Sequence, residues 1–91
     1  MHKFDSVPCI ILSDPIVETE QPFMMTFNVW TDQGNKEAAF FGEFARQLRN
    51  NVRTGDKCII REATVHGDKI GFMFMHLSPE TAIGRNTDLY G

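Results

Sequence analysis

Long apolar runs are missing from this sequence. None approaches the about 20 residues that a bilayer-spanning helix needs, and the first residues, MHKFDSVP, contain no signal-peptide core. We therefore expect an intracellular protein, cytoplasmic or nuclear depending on its source, with no membrane partner.

Cysteine is scarce as well. Cys9 and Cys58 lie in the apolar runs PCII and KCII, with neither a CxxC spacing nor a histidine at ligand spacing beside them. Buried, reduced thiols are a better interpretation of this pattern than a disulfide. The sequence predicts no metal site and no cofactor.

An excess of positive charge is also absent, since the formal net charge is −3. The charge is unevenly distributed: residues 1–45 carry two basic against seven acidic residues, whereas residues 46–91 carry seven basic against five acidic ones. This balance argues against a simple electrostatic nucleic-acid binder. It still permits a basic groove on one side of the molecule.

Catalytic constellations are not found either. The three histidines are scattered, no nucleophile and base can be placed together, and there is no phosphate-binding glycine loop. We expect a protein that is not an enzyme.

What the sequence does contain is a series of short strand patterns. At 91 residues it is long enough for one domain, 1–91, whose last residues, 79–91, form a polar tail. Apolar alternation and turn residues predict strands at 7–13, 23–31, 36–42, 56–65 and 69–77. The polar stretch 16–22 is interpreted as the continuation of a bent first strand, followed by a loop.

From Glu43 onward, the spacing of apolar residues changes from that of a strand to that of a helix. Phe44, Ala45, Leu48 and Val52 form one stripe of a short helix. Arginines form a second stripe, which we interpret as a solvated helix face; they are Arg46, Arg49 and Arg53.

The element order predicts an all-β fold with one helix. A helix between the third and fourth of five strands is the arrangement of the OB-fold, a five-stranded Greek-key barrel that commonly binds oligonucleotides. An SH3-like barrel would lack this helix, and a ferredoxin-like domain would need two.

Adjacent aromatic residues raise a packing question. In a regular strand Phe40 and Phe41 point to opposite faces, so only one ring can be in the core. We expect Phe40 in the core and Phe41 outside. Trp30 is either a residue at the barrel end or a surface aromatic.

For the last strand, the sequence does not decide which face is buried in the core. Phe72, Phe74 and His76 share one face of a regular strand, and Met73, Met75 and Leu77 share the other. Either set can form the core.

The ordered segments VWTDQG, AAFFGEFARQL, VRTGDKCIIREATV and HGDKIGFMFMHLSPETAI resemble the single-stranded-DNA-binding OB domains of the replication protein A large subunit. The resemblance covers roughly residues 20–85. It implies a non-catalytic protein of replication, repair or recombination, whose strand-3 aromatic stacks on a base. That position is Phe41 here. A second stacking aromatic of the family corresponds to His66, and a basic position corresponds to Glu37.

The predicted interface combines stacking and phosphate contacts. Phe41 is the main platform, with Trp30, His66 and Phe72 as further candidates, and three cations border the groove: Lys57, Arg61 and Lys69. The partner is single-stranded DNA or RNA. The alternative is a small OB-fold subunit whose role is protein assembly, as a homo-oligomer or with a heteromeric OB-fold partner.

Overall fold

The computed structural model describes residues 2–78, which form seven strands and one helix. Their bounds are β1 His2–Ile11, β2 Ile16–Glu20, β3 Phe23–Thr31, β4 Gly34–Phe41, α1 Glu43–Leu48, β5 Lys57–His66, β6 Lys69–Phe72 and β7 Phe74–Leu77. The tail predicted at 79–91 lies outside the described residues.

Five of these strands close into a barrel. The ring of paired strands runs β1, β3, β4, β6, β5 and back to β1. Two further strands pair outside this ring, β2 with β3 and β7 with β5. The β4–β6 pair is parallel, and the other pairs are antiparallel. The predicted all-β class with one short helix is confirmed, and the closed ring is consistent with an OB-like barrel.

Strict alternation along β3 provides much of the core. Phe23, Met25, Phe27 and Val29 are buried, and the residues between them face the surface or are half-buried. This is the burial pattern expected of a strand with one face on an apolar core.

The helix packs against one part of this core. Ala45 is fully buried, and Phe44 and Leu48 are half-buried beside the core cluster. Gly42 precedes the helix with φ of 92°, a conformation that L side chains rarely adopt, and its N–H donates to the carbonyl of Phe23. The helix ends at Leu48, earlier than the predicted stripe, although Val52 is also buried.

The predicted alternation of the last strand is wrong. The strand is interrupted at Met73, so Phe72 is buried whereas Met73 and Phe74 are both exposed. The Phe72 ring stacks on that of Phe40, with 4.6 Å between the ring centroids. Phe72 is therefore a core residue, and its predicted role as a surface platform for a base is corrected.

The β1–β5 pair closes the ring and contains both thiols. Cys9 is the register partner of Cys58, and the two Sγ atoms are 2.9 Å apart. Both cysteines are free and buried, as predicted. The hydrogen bond with Cys9, followed by burial, raises the pKa of the Cys58 thiol far above its ordinary value.

Within residues 2–78, no helix is long and apolar enough to cross a membrane.

Candidate nucleic-acid interface

The outer face of β3, β4, β6 and the second half of β5 is a continuous surface ordered by strand register. Register partners point to the same face of a sheet. Across the four strands one row of partners contains Asn28, Glu37, Lys69 and His66.

The next row along contains only small side chains. Its members are Thr26, Ala39, Gly71 and Thr64. A row of small residues between larger ones leaves a shallow trough across the sheet.

Phe41 stands at the edge of this trough. It is 39% exposed, whereas its neighbour Phe40 is fully buried, as the strand period predicted. A Cβ built on Gly71 would be 3.5 Å from Phe41 Cε2, so the ring lies over the backbone of β6. The ring thus has a fixed support on one side and solvent on the other, which suits it for stacking on a flat ligand.

Two grooves lie beside this ring. The first has a volume of about 310 Å³ and is lined by Phe41, Glu62, Thr64, Gly71, Phe72, Met73 and Phe74. The second, of about 550 Å³, is lined by Asp5, Phe44, Arg61, Glu62, Phe74 and His76. Because Glu62 and Phe74 line both, the two grooves adjoin each other, with Phe41 in the first and Arg61 in the second.

Charges around the site are partly compensated. Lys69 Nζ lies 3.7 Å from Glu37 Oε1, and both side chains are more than half exposed. Lys36 Nζ donates to the carbonyl of Gly67 at the turn between β5 and β6. The Glu37 carboxylate reduces the positive charge that Lys69 offers to a phosphate.

The arginines of the helix are engaged elsewhere. Arg46 donates to the carbonyl of Glu20 at 2.8 Å and lies 5.2 Å from the centroid of the Phe23 ring. Arg49 forms a 3.7 Å ion pair with Glu20. These two arginines tie the helix to the end of β2, in addition to being exposed as predicted.

The structure brings part of the predicted set together. Phe41, His66 and Lys69 lie on the same outer face, and Arg61 lines the adjoining groove. Trp30 is 46% exposed, which excludes the barrel-end core alternative. Six residues along β3 separate it from Met24, the partner of Phe41, so it stands roughly 20 Å away at the other end of the face.

Lys57 is also separated from this site. It is exposed at the start of β5, where its register partner is Ile10, and it lines neither groove. Its distance follows from the length of β5, which crosses the barrel from one end to the other.

Sequence reasoning missed several groove residues. For Met73 and Phe74 the strand period left open which of the two faces the groove, and it did not predict that both do, because the interruption of the last strand has no obvious sequence signal. Gly71 did have a sequence signal, because glycine inside an apolar strand often marks the close approach of another group. Glu62 has a φ of 50°, which its sequence context does not indicate.

Metal-binding groups are not part of this site. Among residues 2–78 no three His, Cys, Asp or Glu side chains are grouped so that they could hold a metal ion.

No protein-family model matches this chain, and neither a curated protein nor a solved structure does.

Proposed function

We propose that this protein is a Greek-key OB-fold domain that binds single-stranded nucleic acid, DNA in the first instance, without catalysing a reaction. One observation carries the proposal: an exposed Phe41 ring, supported by Gly71, stands on the outer face of a closed β-barrel. Base–aromatic stacking contributes about 1–3 kcal/mol per base and tolerates any base sequence.

The position of the ring supports this function. In OB-folds, oligonucleotides bind to the face of the second and third strands and to the adjoining loops. In this chain β3 and β4 are the corresponding strands, and the helix follows β4 along the chain. Phe41 is the last residue of β4, next to the parallel β4–β6 pair.

Cations near the ring supply the phosphate contacts. Arg61 borders the larger groove and Lys69 lies on the outer face, while the neighbouring His66 ring across the β5–β6 pair is a further stacking candidate. The Glu37–Lys69 ion pair and the net charge of −3 make this a weaker binder than a strongly basic domain.

The direct test is a titration of labelled oligonucleotides of about 30 bases at several salt concentrations, with single strands and duplex compared. We expect single strands to bind more tightly than duplex. If Arg61 and Lys69 each contact one phosphate, the logarithm of the association constant should fall with the logarithm of the salt concentration with a slope of about −1.4. Absence of single-strand binding at low salt would contradict the proposal.

A second candidate is an OB-fold subunit that acts in protein assembly. It is favoured by the number of large apolar side chains at the surface, among which Ile16 is 65% and Met73 55% exposed. Apolar surface of this kind often marks protein contacts. Concentration-dependent association in sedimentation experiments, together with no oligonucleotide binding, would support this candidate instead.

A further inference from the structure

The groove beside Phe41 is lined, among residues 2–78, by one acidic side chain and by no basic one. Of the residues that line it, Glu62 alone is ionisable, and no cation lines it. A carboxylate repels phosphate, so the part of a bound strand that enters this groove is a base and not the backbone.

Glu62 is held in position by the course of β5. Its φ of 50° is the only positive value at a non-glycine residue among residues 2–78. At this point β5 changes its partner, from β7 at the Arg61–Phe74 pair to β6 at the Thr64–Gly71 pair. The left-handed backbone interrupts the strand alternation, so that Arg61 and Glu62 are both exposed while Ala63 is buried.

Arg61 and Glu62 are therefore both exposed, but they line different parts of the surface. Arg61 lines only the larger groove, whereas Glu62 also lines the groove with the Phe41 ring. Within the described part of the chain, the Glu62 carboxylate has no ion pair and accepts no hydrogen bond. Its two oxygens are free to accept hydrogen bonds from a ligand.

We propose that Glu62 recognises a guanine base stacked on Phe41, by accepting hydrogen bonds from its N1–H and N2 amino group. The proposal rests on the single-strand binding proposed above. In a single strand the Watson–Crick edge of a base is open to side chains. Guanine presents two donors side by side on that edge, which match the two oxygens of a carboxylate.

The other bases fit this acceptor less well. Adenine and cytosine present one amino donor beside an acceptor nitrogen. Thymine presents its single N–H between two carbonyl oxygens, which a carboxylate repels. We therefore expect guanine to be the preferred base and thymine the least favoured.

The experiment compares alternating d(GT) with d(T) oligonucleotides of equal length, in lithium salt, which disfavours guanine quadruplexes. We expect the wild-type protein to bind d(GT) about tenfold more tightly, since hydrogen bonds to charged groups are the strong ones. Replacement of guanine by hypoxanthine, which has a similar ring system but lacks the N2 amino group, should lower this ratio.

The matched variants are Glu62→Gln and Glu43→Gln. Each removes one negative charge, but Glu43 lies on the helix and lines neither groove. Both changes should strengthen binding to d(T) slightly, because repulsion of phosphate falls. Only Glu62→Gln should reduce the d(GT) to d(T) ratio, towards one.

The outcomes separate the two proposals. Binding without a guanine preference, or a preference that survives in Glu62→Gln, would overturn the role of Glu62 and leave single-strand binding intact. Failure of both oligonucleotides to bind would overturn the proposed function, and the base preference with it.

Discussion

The ring of Phe41 lies over Gly71, with 3.5 Å between Phe41 Cε2 and the position that a Cβ on Gly71 would occupy. A methyl group at this distance makes an ordinary van der Waals contact, whereas a longer side chain would displace the ring and fill the trough. The glycine therefore lets the Phe41 ring lie against β6, with its other face open to solvent for stacking.

Substitution of Gly71 tests this relationship. We expect Gly71→Ala to bind oligonucleotides as the wild type does and to be slightly more stable, because alanine has less backbone freedom in the unfolded chain. Gly71→Leu should weaken binding about tenfold or more, the order of one lost stacking contact. Fluorescence anisotropy measures both, and equal affinity of the two variants would contradict the role of this trough.

The ion pair between Glu37 and Lys69 gives a prediction about salt dependence. Glu37→Gln releases Lys69 from its partner and removes a repulsive charge, so binding should become stronger and its salt dependence steeper. Lys69→Gln should have the opposite effect. Because both side chains are exposed, the stability of the fold should change by less than about 1 kcal/mol in each variant. An unchanged salt slope in both would place Lys69 away from the bound strand.

The interruption of the last strand predicts different roles for two phenylalanines. Phe72→Ala should lower the free energy of unfolding by about 3–5 kcal/mol, since it removes a buried ring stacked on Phe40. Phe74→Ala should cost about 1 kcal/mol or less, because that side chain is 45% exposed, with its ring centroid 5.8 Å from that of Phe44. Urea denaturation of both variants provides the comparison. Similar costs would mean that the strand is not interrupted at Met73.

The buried thiols predict a pH dependence of stability. The pKa of Cys58 is raised in the folded protein by its hydrogen bond with Cys9 and by burial, from an ordinary value of 9.0. Below pH 9.0 both states keep the proton and stability is complete. Above it the unfolded chain releases a proton that the folded chain retains, so stability falls by up to about 1.4 kcal/mol per pH unit.

Removal of the thiol isolates this effect. In Cys58→Ala the decline of unfolding free energy between about pH 9 and 10.5 should be shallower than in the wild type. The comparison uses the slopes, because the substitution also changes the packing. Parallel slopes would show that Cys58 does not keep its proton in the folded state.

The strand period was sufficient to predict some features of the site and not others. It separated Phe40 from Phe41 correctly, since β4 is regular up to Phe41, the residue before the glycine that precedes the helix. It failed for Phe72, because the strand is broken at Met73, where pairing with β5 passes from β6 to β7. Long-range register also decided which cations share the outer face with Phe41: Lys69 does, whereas Lys57 lies at the other end of β5.

The most direct measurement is the affinity of Phe41→Ala for a labelled single-stranded oligonucleotide at low salt. Phe4→Ala is the matched control, since Phe4 is 46% exposed on β1 and lines neither groove beside Phe41. We predict that Phe41→Ala weakens binding by about 1–3 kcal/mol, that is fivefold or more, and lowers the free energy of unfolding by only about 1 kcal/mol or less, while Phe4→Ala binds as the wild type does. Equal affinity of Phe41→Ala and the wild type would contradict the stacking role on which the proposed function depends.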